Sequence, residues 1–157
     1  MGLGPKVPAP LLRWELTGVR VYGCFDVRHD ADLLARLARE SKNADSPFEV
    51  TAWSACHAQS ADWEAGLRVA LASVDEVVVL CGEHADTADE MSAELRIVQE
   101  LAKPYFLLWG RRGAECTKPT TAKHADSFYA WIWEIVKSQI AIATRRRPGV
   151  GSMVAAQ

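Results

Sequence analysis

Five consecutive apolar residues, Val77-Val-Val-Leu-Cys81, constrain this chain more than any other segment. A strand with one face in water alternates apolar and polar side chains. An unbroken apolar run requires cover on both faces, the condition of a central strand in a parallel sheet. That cover has to come from helices elsewhere in the chain.

The flanking sequence supplies them. Val19–Phe25, Phe48–Trp53 (after Pro47) and Pro104–Trp109 (closed by Gly110) read as further strands. Between them, Asp30–Glu40 places Leu33, Leu34, Leu37 and Ala38 at helical spacing, with Asp30 and Asp32 in the first turn. A second helix starts at Ser60 as N-cap and turns Trp63, Leu67, Ala70 and Leu71 inward. A third covers Thr87–Ala102, with a capping box of Thr87 and Glu90 and an inner stripe of Met91, Leu95, Val98 and Leu101. Residues 111–125 lack periodicity and leave room for a short edge strand. The last helix is expected over 126–145, on a stripe of Phe128, Trp131, Ile132, Ile135 and Val136. Alternating strands and helices joined by right-handed crossovers predict a flavodoxin-like, doubly wound α/β fold. Its parallel sheet has four to five strands and helices on both faces. The domain spans 18–145, between a Gly- and Pro-rich leader over 1–17 and a small-residue tail over 146–157.

Composition narrows the function classes. A net charge of −2 lacks the basic excess of a general nucleic-acid binder. The basic run Arg145–Arg147 reads as a solvated helix end. No segment approaches the roughly 18 uninterrupted apolar residues of a membrane span, so no membrane partner is expected. Cys24, Cys56, Cys81 and Cys116 show no CxxC spacing, and no secretory signal precedes them; reduced thiols in a cytoplasmic protein are expected.

Ligands of doubly wound sheets bind beyond the carboxyl ends of the strands, where strand order reverses. Three loops lie there: 26–30, 54–62 and 82–94. The first contains no glycine and so lacks a dinucleotide GxGxxG, and no GxxxxGK[ST] phosphate loop occurs. Leu80-Cys-Gly82 offers no phospho-acceptor aspartate. The CxxxxxR spacing of a cysteine phosphatase fails, because Asp30 and Asp62 stand six residues after Cys24 and Cys56. No metal site is expected, since His29 with its neighbouring aspartates, or Cys56-His57, has no structural-zinc spacing. Cys56-His57 lacks a group to orient the imidazole, and His29 reads as an exposed loop residue.

The loop over 82–94 is crowded with acidic and hydroxyl side chains. Glu94 lies one turn into the helix, beside Leu95, near the sheet edge. Burial there raises a carboxyl pKa unless a partner or ligand engages it. On these residues alone, a surface or salt-bridged glutamate and a functional one both remain open.

Taken in order, the motifs resemble a known family. Arg20-Val-Tyr-Gly-Cys-Phe-Asp-Val-Arg-His-Asp30 is similar to the opening of TIR-like domains of the ThsB kind from Thoeris anti-phage defence. There an apolar strand runs into Ser-Phe-Asp with a second Asp close behind. Ser54, the helix opened by Asp62-Trp63 and ending in Ser73, Val77–Gly82, Thr87, Met91-Ser-Ala-Glu-Leu95 and Lys103-Pro104 continue the match over residues 19–142. Two positions differ: Cys24 stands where the family has Ser, and Ala52-Trp-Ser54 lacks an Asp before the serine. Both are expected at the pocket rim.

The resemblance implies cleavage of NAD at the nicotinamide–ribose bond, with a cyclic ADP-ribose-type signal as the product in anti-phage defence. It implies Glu94 as the catalytic residue. Phe25, Asp26, Arg28, Asp30, Ser54 and Trp63 become substrate-binding residues, with Phe25 or Trp63 stacking and Arg28 meeting the pyrophosphate. NAD is then substrate, and no separate cofactor is expected. Self-association and a downstream effector protein are the expected partners. A non-catalytic TIR-like interaction or nucleotide-sensing module is the alternative. A nucleoside deoxyribosyltransferase-like enzyme, which also sets a glutamate near a ribose, is a third.

Overall fold

The computed structural model describes residues 18–56 and 61–145. Five strands, β1 (Val19–Phe25), β2 (Phe48–Trp53), β3 (Glu76–Cys81), β4 (Tyr105–Trp109) and β5 (Phe128–Ala130), form one sheet in the order β2-β1-β3-β4-β5. Every pairing is parallel. Helices α1 (Ala31–Glu40), α2 (Trp63–Ala72) and α3 (Asp89–Glu100) connect β1 through β4, and α4 (Trp133–Arg145) follows β5. The fold is the flavodoxin-like α/β class expected from the sequence. No helix among the described residues is long and apolar enough to cross a membrane.

The run in β3 is buried at every position and divides its side chains between two cores. Val77, Val79 and Cys81 join Leu67 and Leu71 of α2 and Leu95 and Val98 of α3 on one face. Val78 and Leu80 join Leu33 and Leu37 of α1 and Val136 and Ile140 of α4 on the other. Period-two alternation is thus present, hidden because both faces are apolar. On α3 the stripe shifts slightly from expectation: Ile97 is fully buried, whereas Leu101 lies past the helix end and is exposed.

The C-terminal part corrects the expected last helix. Phe128–Ala130 forms the edge strand instead, pairing with Leu107, Leu108 and Trp109. Phe128 packs edge-to-face on Trp109 at 4.9 Å, and Tyr129 on Phe106 at 6.1 Å, on opposite faces of the sheet. Ladder hydrogen bonds and aromatic pairs outweigh a helical turn there. The helix starts at Trp133, and Ile132 is exposed.

Two expected caps also change. Thr87 belongs to a short 3-10 turn (Ala85–Thr87), and its hydroxyl donates back to the His84 carbonyl, so it closes no capping box. The N-cap of α3 is Ala88. Ser60 lies outside the described residues, and α2 is preceded by Asp62. The leader, His57 and the tail also lie outside them.

Candidate functional site

The sheet reverses direction of growth between β1 and β3, so the loops that follow these strands part at the carboxyl edge. A cavity of about 380 Å³ opens there. Phe25 lines it from the end of β1, Asp26 and Arg28 from the loop that follows, Ser54 from just past β2, and Glu94 from α3.

Glu94 is 2% exposed, beside the fully buried Leu95. Its Oε1 accepts a hydrogen bond from Ser54 Oγ at 2.6 Å and another from Tyr22 Oη at 3.2 Å. Ser54 Oγ in turn accepts the Phe25 N–H at 3.0 Å. This setting depends on an irregularity between β1 and β2. A shift of register between Val21 and Tyr22 pairs Tyr22 with Ala52 and Gly23 with Trp53. The next residue, Ser54, then donates its N–H to the Gly23 carbonyl and turns its hydroxyl under the cavity.

The neighbours of Glu94 are held neutral. Burial first, and then the Glu94 carboxylate, push the Tyr22 phenol well above its ordinary value. The same two causes push up the Cys24 thiol, which is fully buried and lies against the Met91 carbonyl. Cys24 is therefore beneath the cavity, not at its rim, and has no thiolate to offer as a nucleophile.

Asp26 shapes the first loop. Its Oδ1 accepts the Arg28 N–H at 3.0 Å, and its Oδ2 pairs with His29 Nδ1 at 2.7 Å. The His29 ring lies 4.1 Å from that of His84, which joins the loops after β1 and β3. His29 is thus exposed, as expected, but it is part of a contact. Arg28 stands exposed at the rim, and its guanidinium makes no ion pair or hydrogen bond among the described residues.

Asp30 is 1% exposed and does not line the cavity. Its Oδ1 accepts from Arg111 Nη2 at 2.9 Å, while Arg111 also grips Asp32 at 2.7 Å. Burial raises the Asp30 pKa, and Arg111 works against that rise. Gly82 passes so close that a Cβ there would overlap the Asp30 carboxyl group. Asp30 therefore braces the loop. Arg111 was not among the residues singled out from sequence; the signal for it was an Arg-Arg pair directly after a strand, at the edge where ligands bind.

No protein-family model matches the chain, and no curated protein does. Among solved structures, it is similar to the TIR domain of the Toll-related receptor TRR-2 from Hydra magnipapillata. The TM-score is 0.50 at 12% identity, over 80% of this chain and 94% of that one. The fold is TIR-like.

In this TIR-like domain Trp63 does not line the cavity that Arg28 lines. It lines a second, smaller cavity of about 260 Å³ with Tyr22, Trp53, Leu67 and Glu94 itself. Glu94 is thus shared by a polar cavity and an aromatic one. Of the expected site residues, Phe25, Asp26, Arg28, Ser54 and Glu94 meet in the first cavity, Trp63 enters the second, and Asp30 lines neither. Phe25 is 5% exposed and packed into the core, so little of its ring is left for stacking.

Proposed function

We propose that the domain cleaves NAD at the nicotinamide–ribose bond and that it belongs with the ThsB-type TIR-like proteins its motifs resemble. The observation that carries the reading is Glu94: a buried carboxylate, fixed at one oxygen by Ser54, at the junction of two cavities. The first cavity is lined by Asp26, Asp89, Glu90 and Glu94 against one guanidinium, Arg28. Such a lining favours a cationic group, and the pyridinium of NAD is one. The second cavity offers Trp53 and Trp63 as flat apolar faces.

Cleavage needs no general acid. The C1′–N bond breaks with its electron pair going to the ring nitrogen, which neutralises the pyridinium and leaves an oxocarbenium-like ribose. The Glu94 carboxylate stabilises that charge, and because it is already oriented no reorganisation is needed when the charge develops. Water then adds at C1′ and loses its proton to solvent, giving ADP-ribose. Attack by an adenine ring nitrogen instead gives the cyclised product. Self-association and a downstream effector that reads the product complete the proposal, with the cytoplasm as its setting.

The test is nicotinamide release from NAD by the wild type and by Glu94→Gln, whose amide oxygen still accepts from Ser54. A loss of about 100-fold or more is expected in the variant, with circular dichroism unchanged. Absence of release by the wild type, at high concentration and on a scaffold that forces assembly, overturns the reading.

A non-catalytic nucleotide-sensing module draws support from the same bonds. A glutamate tied to Ser54 and Tyr22 and nearly closed to solvent also suits a purely structural post. Saturable NAD binding without turnover distinguishes it. Turnover of deoxynucleosides instead points to a deoxyribosyltransferase-like enzyme.

A further inference from the structure

A separate cavity of about 610 Å³ lies beyond the carboxyl ends of β4 and β5, outside the Glu94 site and sharing no lining residue with it. Its volume falls within the roughly 300–1,000 Å³ of small-molecule sites. Trp109, Phe128 and Trp131 supply aromatic walls, and Arg36 and Arg112 supply cations. Among the described residues no carboxylate lines it, although the whole chain carries a net charge of −2.

The two arginines are not equivalent. Arg36 is committed: its Nε donates to Glu40 at 3.0 Å, and its guanidinium lies 4.1 Å from the Trp131 ring centroid. Arg112 is exposed, and its side chain makes no ion pair or hydrogen bond among the described residues. Its neighbour Arg111 turns the other way, to Asp30 and Asp32. The cavity thus presents one uncompensated guanidinium beside a rigid aromatic frame. Trp109 is fixed there by the Phe128 edge and by its indole N–H donating to the Arg111 carbonyl at 3.0 Å. At the rim, Ile132 is 47% exposed. A flat ring gains stacking on such walls at little entropic cost, and a phosphate gains a charge-assisted fork from arginine.

We propose that this cavity is a second ligand site, for a planar aromatic anion of nucleoside-monophosphate size. The ring lies against Trp109, beside the Arg36–Trp131 stack, and the phosphate meets Arg112. The site does not depend on any reaction at Glu94.

Titration with AMP, followed by the indole N–H signals in nitrogen-15 NMR spectra, tests it. Expected are shifts of the Trp109 and Trp131 signals, retained in Glu94→Gln and weakened roughly tenfold in Arg112→Glu. Adenosine alone and inorganic phosphate alone are expected to bind more weakly than AMP. Unmoved Trp109 and Trp131 signals at millimolar AMP overturn the proposal. So does wild-type affinity in Arg112→Glu, or adenosine binding as tightly as AMP. AMP that shifts only the Trp53 and Trp63 signals places the nucleotide at Glu94 and likewise overturns it.

Discussion

Ser54 and Glu94 share a 2.6 Å hydrogen bond across 40 residues of sequence, and the same serine oxygen receives the Phe25 N–H. One hydroxyl therefore satisfies a buried amide and orients a buried carboxylate. Ser54→Ala is expected to cost about 1–3 kcal/mol of stability, because it strands the Phe25 amide and removes one donor from Glu94. Thermal denaturation measures that loss, and nicotinamide release is expected to fall with it. A variant as stable as the wild type contradicts the assignment.

Arg111 holds the buried Asp30 and the exposed Asp32 together. Arg111→Ala leaves Asp30 buried without its counter-charge. Because Arg111 is itself partly open to water, the expected loss is about 1–3 kcal/mol, below the full cost of breaking a buried pair. Asp30→Asn added to Arg111→Ala is expected to restore part of it. Urea denaturation of the single and double variants shows whether it does.

A Cβ added to Gly82 would overlap the Asp30 carboxyl group. A methyl group there pushes the loop off its brace, so Gly82→Ala is expected to destabilise by about 1–3 kcal/mol. The His29–His84 contact should loosen as well, which the ring-proton shifts of both histidines report.

Glu76 opens β3 at the amino edge, 1% exposed, with both carboxyl oxygens lacking a hydrogen-bond partner among the described residues. Burial, helped by Asp75, pushes its pKa up to about 9. The folded protein therefore keeps a proton that the unfolded chain releases near its ordinary value of about 4.5. Between those limits the folded state binds more protons, so stability falls as pH rises. Melting temperatures from pH 5 to pH 9 are expected to decline in the wild type and to decline less in Glu76→Gln. Equal slopes in the two proteins contradict this account.

Much of the fold was legible because its signals are local. Val19–Phe25 and Phe48–Trp53 match their expected bounds, and Val77–Cys81 gains only Glu76. Phe128–Ala130 was not legible, since three residues of strand sit at the front of a stripe that also has helical spacing. Only pairing with β4 decides between them, and that is a tertiary fact. Glu94 and Ser54 could be placed near one another from the topological rule, but their bond needed the irregularity at Val21 and Tyr22. Arg111 reaches Asp30 across 81 residues, and no spacing in the sequence encodes that reach. Trp63 packs on the inner side of its helix, yet it lines a different cavity from Arg28, with Glu94 common to both.

Glu94 belongs to α3, but two of its partners come from elsewhere: Tyr22 in a central strand and Ser54 just past an outer one. Outer strands peel before inner ones when a sheet breathes. Detachment of β2 alone removes the 2.6 Å bond from Ser54 to the carboxylate while leaving the inner strands paired. The carboxylate's alignment is therefore a report on one margin of the sheet, and whatever clamps that margin, be it a ligand or a neighbouring molecule, sets how firmly Ser54 holds it.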